Sequence, residues 1–152
     1  MNRLKEIIRL CDDISRSAKI DFKELQKQKI DEIFFHTYEN IRVVNSFLFN
    51  FTKLQDKMGA KLFKLFLYEL QEINDFSISM VEVLSILEKL EILEVEKWQR
   101  LREIRNILAH EYPFDLKERI ENIRLAMEGF LLLEEILNNL KRRVDAIESK
   151  RD

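Results

Sequence analysis

Apolar residues recur along most of this chain at spacings of three and four, the period of an amphipathic helix. Leu4, Ile7, Ile8, Cys11 and Ile14 predict a first helix over about residues 2–18. Asp21, with Glu24 three residues on, has the form of a capping box and predicts a second helix from about residue 22 into the mid-50s. Its apolar positions are Leu25, Ile30, Ile33, Phe34, Ile41, Val44, Leu48 and Phe51. Phe35, Phe47 and Phe49 widen that face beyond one stripe, which places the helix at the centre of a bundle or between the bundle and a partner. Gly59 marks a break, and Leu62, Phe63, Phe66, Leu67 and Leu70 predict a third helix over about 60–73. The pattern lapses around Asn74–Asp75. Ser77 or Ser79 then caps a fourth helix with Val81, Leu84, Leu87 and Leu90 on one face. A fifth runs from near Glu94 through Trp98, Leu101, Ile104 and Leu108 to Tyr112, where Pro113 ends it. Asp115 caps a last long helix over about 116–148.

Composition agrees with this pattern. The 152 residues are 46% hydrophobic and 36% charged, with only 2 Gly and 1 Pro. So few breakers among so many helix formers predict an all-α fold, an up-and-down bundle of four to six helices forming a single domain over residues 1–152. The lone Cys11 excludes an intramolecular disulfide, leaves no cysteine cluster for zinc, and reads as a buried, inert thiol. No apolar run approaches the roughly 18–20 residues that cross a bilayer. The N-terminal residues enter a charged amphipathic pattern and not a signal-peptide core, so no membrane contact and a cytoplasmic location are expected. A net charge of −2 gives no global attraction to nucleic acid, so any such contact requires a local basic patch. The basic end, Lys141-Arg142-Arg143 through Lys150-Arg151, suits the negative pole of a helix.

The candidate chemistry lies in Arg105-Asn106-Ile107-Leu108-Ala109-His110-Glu111-Tyr112-Pro113, which holds one of the 2 histidines and the only proline. At about 100° per residue, with Arg105 at zero, Leu101, Leu108, Ile104 and Ile107 fall between roughly −40° and −160°, an apolar face for the core. Arg102, Asn106, Gln99 and His110 lie between about 60° and 140°, with Trp98 and Ala109 near 20° and 40°. Arg105, Asn106 and His110 are therefore expected to share a face turned away from their own core. About 140° separates Arg105 from His110, so one helix cannot bring them into contact, but both can border a groove closed by a second molecule. By spacing alone these are also ordinary helix residues: a histidine near a helix C-terminus is favoured by the dipole. His36, among Phe34, Phe35 and Tyr38 without an acidic or cysteine partner, reads as a packing residue.

Arg105-Asn106-x-x-x-His110-x-Tyr112 resembles the Arg-x-x-x-x-His-x-Tyr signature of HEPN-domain proteins, the toxin component of HEPN/MNT toxin–antitoxin pairs (HepT-like ribonucleases). The setting is similar too: a small helical bundle, the motif at the end of the penultimate long helix, one further helix behind it. The resemblance implies a metal-independent endoribonuclease without cofactor, working as a homodimer whose two motifs line one cleft. Arg105 matches the phosphate-binding arginine, His110 the acid–base histidine and Asn106 their polar helper, with Arg102, Arg100 and Lys97 extending a basic patch toward the RNA substrate. Tyr112 matches the tyrosine that, in some members, a partner nucleotidyltransferase antitoxin modifies with AMP. The chemistry suits the residues: imidazole, with an ordinary pKa of about 6.5, exchanges protons near neutrality, and a guanidinium fork stabilises charge on phosphate. Two other readings stand beside it: a non-catalytic partner or substrate-binding subunit of a nucleotidyltransferase on the same fold, and a structural bundle in which the motif is coincidental.

Overall fold

The computed structural model describes residues 1–110 and 115–151. Tyr112, the expected modification site, lies outside the described residues, as does the Pro113 stop. Among the described residues the regular structure is all helical, with no strand: α1 (Asn2–Gln26), α2 (Tyr38–Lys57), α3 (Phe63–Glu69), α4 (Met80–Lys89), α5 (Val95–Ala109) and α6 (Leu116–Arg151). They form a bundle, and no helix among them is long and apolar enough to cross a membrane.

The first helix does not stop at Asp21. It runs on through Phe22 and Leu25, both buried, so the predicted capping box lies inside α1. The chain turns instead between Gln26 and Tyr38, where the sequence predicted unbroken helix. A 3-10 turn over Ile33–His36 buries Phe34 and leaves Ile33 and Tyr38 in solvent. Side chains hold this turn in place of helical bonds. Asp31 Oδ1 accepts from the Phe34 N–H at 3.0 Å, and Asn40 Nδ2 donates to the Phe34 carbonyl at 2.9 Å. His36 is exposed at the end of the turn and does not pack in the core.

Gly59 likewise does not break the chain. Between α2 and α3 the helix widens into a π turn over Met58–Leu62, with the Phe63 N–H bonded to the Met58 carbonyl. A Cβ at Gly59 would stand 3.1 Å from Trp98 Cζ2, so the glycine gives room for an indole and not for a bend. Gly129 plays the same part in α6. A Cβ there would meet Phe51 at 3.0 Å and Leu101 at 3.1 Å, so its absence lets α6 close on α2 and α5 together. Around this crossing lie Phe22, Phe47 and Phe130, with ring centroids 5.4–6.2 Å apart, all at or near zero exposure.

Helices α3 and α4 end alike. The Gln71 N–H bonds to the Tyr68 carbonyl and the Glu72 N–H to Leu67; the Glu91 N–H bonds to Glu88 and the Ile92 N–H to Leu87. These are two Schellman closures, and each puts a non-glycine in the left-handed region, Gln71 at φ 63° and Glu91 at φ 61°. Ser79 caps α4 by accepting from the Glu82 N–H at 3.2 Å. Within α4, Val83, Leu84 and Leu87 are buried while Val81 is 77% exposed, which shifts the predicted face. Asp115 caps α6 as expected, accepting from the Lys117 N–H at 3.0 Å.

Helices α1 and α6 run antiparallel and are tied by three ion pairs: Lys5–Glu148 at 2.6 Å, Asp12–Lys141 at 2.8 Å and Lys19–Glu134 at 3.1 Å. Successive pairs step seven residues along both helices, and the sign alternates.

Candidate functional site on the fifth helix

Helix α5 starts without a side-chain cap on Glu94; the Val95 N–H is satisfied instead by Glu88 Oε2 of the preceding helix, at 2.7 Å. Its buried residues are Trp98, Leu101 and Ile104, while Ile107 is 41% exposed. The buried arc is therefore rotated from the one predicted: it runs from about 20° at Trp98 to about −100° at Ile104. Trp98 packs edge-on against Phe63 with centroids 4.8 Å apart. Tertiary packing puts an indole inside that helical periodicity had grouped with polar neighbours.

This rotation relocates Arg105. At 0° it falls within the buried arc, and its side chain reaches across to α2. Nε donates to Asp56 Oδ1 at 3.1 Å and Nη2 to Oδ2 at 3.0 Å. The hydrogen bond to Asp56 raises the pKa of the guanidinium further above its ordinary value, while partial burial acts the other way. Arg105 is thus a partly buried, geometrically fixed cation. It lines a groove with Asn106 but not with His110.

Two grooves meet at this ion pair. One, of about 480 Å³, is lined by Gln55, Asp56, Trp98, Arg102, Arg105 and Asn106, among others. The second, of about 690 Å³, lies on the other side of Asp56 and is lined by Leu48, Phe49, Lys53, Lys57, Lys61 and Leu108 among others. Asp56 and Ala60 belong to both, so the π turn forms part of the ridge between them. Three lysines from α2 and the π turn thereby join Arg102 and Arg105 around one carboxylate, a local basic patch on a chain of net charge −2. Their spacing of four was visible in the sequence and marks a shared face.

The structure brings Arg102, Arg105 and Asn106 together. His110 is exposed at the C-cap of α5, its N–H bonded to the Ile107 carbonyl at 3.3 Å, outside the lining of both grooves. Lys97 departs from the expected patch: it pairs with Glu94 at 3.3 Å in a groove shared with Glu88, Glu91 and Glu135. Arg100 is exposed. Among the described residues, no three His, Cys, Asp or Glu side chains are grouped to hold a metal ion. Gln55, missed by the sequence reading, is buried in the wall of the smaller groove, and its Oε1 has no hydrogen-bond partner among the described residues. An unsatisfied buried acceptor costs about 1–3 kcal/mol, which sets it apart from an ordinary core residue.

Comparison with protein families, with curated proteins and with solved structures finds no match to this chain.

Proposed function

We propose that this chain is a metal-independent endoribonuclease of the HEPN toxin type, acting as a homodimer and neutralised by a nucleotidyltransferase antitoxin. The observation that carries the reading is Arg105, held in a forked geometry by Asp56 in a groove with Arg102, beside a second groove that shares Asp56 and is lined by Lys53, Lys57 and Lys61. A phosphodiester backbone crossing between them meets guanidinium groups in one groove and ammonium groups in the other. The chemistry then needs only the substrate's own 2′-hydroxyl. A histidine takes its proton, O2′ bonds to phosphorus, and the P–O5′ bond breaks with a proton delivered to O5′. The products are a 2′,3′-cyclic phosphate and a free 5′-hydroxyl. Arg105 stabilises the charge on the non-bridging oxygens.

His110 stands apart from Arg105 within one chain, so the proton-transfer group at each Arg105 comes from the α5 end of a second copy. In the same reading, AMP added to Tyr112 brings further phosphate charge to the motif and blocks the substrate by repulsion and occupancy. The experiment is RNA cleavage in EDTA by wild type, Arg105→Ala, His110→Ala and an equal mixture of the two variants. The single variants lose about 10²–10³-fold, and the mixture regains activity through heterodimers that assemble one intact site. A mixture as inactive as its components overturns the shared site; full activity in both variants overturns the mechanism.

The carboxylate on Arg105 favours one second reading, a non-catalytic HEPN-fold partner or substrate-binding subunit of a nucleotidyltransferase. That protein forms the complex and cleaves nothing.

A further inference from the structure

The helices α2 and α3, joined through the π turn, carry a stripe that extends well beyond α5. Phe49, Lys53, Lys57, Lys61, Lys64 and Tyr68 follow one another at spacings of three and four. Both ends of the stripe are aromatic and open to solvent. At one end Phe49 is 66% exposed, with the Lys53 ammonium 5.7 Å from its ring centre. At the other, Tyr68 and Phe76 stack on each other with centroids 5.1 Å apart and planes inclined by 27°, yet remain 44% and 43% exposed. A lone exposed ring is ordinary on a protein surface; a stacked pair beside cations calls for a reason. The loop that carries Phe76 is also held in place. Lys64 Nζ donates to the Phe76 carbonyl at 3.0 Å, and Asp75 Oδ1 accepts from the Ser77 N–H at 2.8 Å.

The grooves along the stripe are continuous. The lysine groove shares Ala60 and Lys61 with a groove of about 450 Å³ that Arg3, Lys64 and Phe76 also line. A further groove shares Arg3, Leu65 and Phe76 with that one and reaches Tyr68. Carboxylates line these two grooves as well: Glu69 is paired with the Met1 amino group at 2.8 Å, and Glu6 faces the three cations Arg3, Lys61 and Lys64. Cations at regular steps suit a phosphate backbone, and open aromatic faces suit unpaired bases, whose own faces are free to stack. Resting on the reading of this chain as an RNA-cleaving enzyme, we infer that single-stranded RNA runs from Arg105 along this stripe and stacks a base on the Tyr68–Phe76 pair. From Asp56 to Tyr68 the stripe rises about 18 Å, the length of about five stacked nucleotides at roughly 3.4 Å each. The substrate is therefore an unpaired segment of at least that length.

The probes are a 2′-O-methyl RNA single strand of about 12 nucleotides, within the usual span of a single-strand site, and its blunt duplex. The methyl groups block attack by the 2′-oxygen, so binding is read by anisotropy without cleavage. Wild type prefers the single strand. The double variant Tyr68→Ala, Phe76→Ala binds the single strand at least about fivefold more weakly, the low end for loss of one base–aromatic stack. Its affinity for the duplex is unchanged, because paired bases offer the platform no free face. The slope of log K against log salt also stays the same, because no phosphate contact is lost. Tyr68→Leu with Phe76→Leu keeps apolar bulk without an aromatic face and shows the same loss, which separates stacking from folding. Tyr68→Phe with Phe76→Tyr retains the wild-type affinity.

Single-strand affinity unchanged in the leucine pair overturns the inference and leaves the aromatic surface to a protein partner. An equal loss for strand and duplex overturns it too. Cleavage of the unmodified strand, measured in parallel, separates the inference from the reading beneath it. Cleavage that does not depend on Tyr68 and Phe76, with binding equally indifferent to them, sinks the stacking platform alone. Platform-dependent binding without cleavage supports the RNA track and sinks the nuclease. Neither cleavage nor single-strand binding sinks both.

Discussion

Arg105 and Asp56 face each other fork to fork across the junction of α5 and α2, with both guanidinium–carboxylate bonds at 3.0–3.1 Å. The pair fixes the plane of the guanidinium. It also fills, with a carboxylate, the position that a phosphate would take. The same contact therefore orients the arginine and, in the function proposed above, competes with the RNA phosphate.

Removing that competition sets the first prediction. Asp56→Asn retains shape and loses the charge, and RNA binding tightens severalfold in a filter-binding or anisotropy titration. Stability falls by no more than about 1 kcal/mol, because the pair is partly exposed to solvent. Unchanged or weaker RNA binding contradicts a competing carboxylate.

The lysine groove makes a prediction about salt. Each phosphate neutralised on a single strand contributes about −0.7 to the slope of log K against log salt. The triple variant Lys53→Gln, Lys57→Gln, Lys61→Gln should flatten that slope by about 2 while leaving the bundle's helical circular dichroism unchanged. An unaltered slope places the RNA elsewhere.

At the two left-handed helix ends, stability is open to improvement. A side chain at positive φ costs on the order of 1 kcal/mol relative to glycine. Gln71→Gly and Glu91→Gly are each expected to raise stability by about that amount in urea unfolding. Both residues are exposed, so no packing is lost. Destabilisation by either substitution would show that the side chain makes a contact worth more than the strain.

Cys11 carries the pH prediction. Burial, reinforced by the nearby Asp12, pushes its thiol from 9.0 up to about 12, with Lys57 acting weakly the other way. The unfolded chain ionises above 9.0 while the fold keeps the thiol neutral, so this stabilisation is complete below 9.0 and is lost as pH rises toward 12. The stability advantage of wild type over Cys11→Ala should shrink by roughly 1 kcal/mol per pH unit in that window. At pH 8 the native thiol should resist a disulfide reagent that reacts at once after unfolding. Rapid labelling of the native protein contradicts its burial.

The helical class, the Ser79 and Asp115 caps and the buried cysteine were all legible in the sequence, because each rests on local periodicity or on one side chain's chemistry. The turn at 27–37 was not, because no Gly or Pro marks it. Asp31 and Asn40 make it from a distance, by bonding to the backbone around Phe34. Gly59 misled for the opposite reason, since its small size answers Trp98 and not a turn. At the site, helical geometry grouped Arg102 with Asn106 correctly but could not foresee that Trp98 turns inward and carries Arg105 toward Asp56. The lysine ladder at 53, 57 and 61 was missed, although its spacing of four is a signal that could have marked it. Gln55 offered no such signal, because an unpaired buried amide has no signature in a sequence.

The three ion pairs between α1 and α6 act as an address. Sliding α6 by one heptad, about 10.5 Å, in one direction sets Lys5 against Lys141 and Asp12 against Glu134. Sliding it the other way sets Asp12 against Glu148 and Lys19 against Lys141. Either error pairs like charges twice, so modest surface interactions reject neighbouring alignments that a uniformly apolar seam would tolerate. The accepted alignment is also the one that brings Gly129, and not Asn122 or Ile136, to the crossing with Phe51 and Leu101. Charges on the rim of the molecule thus decide which residue the centre receives.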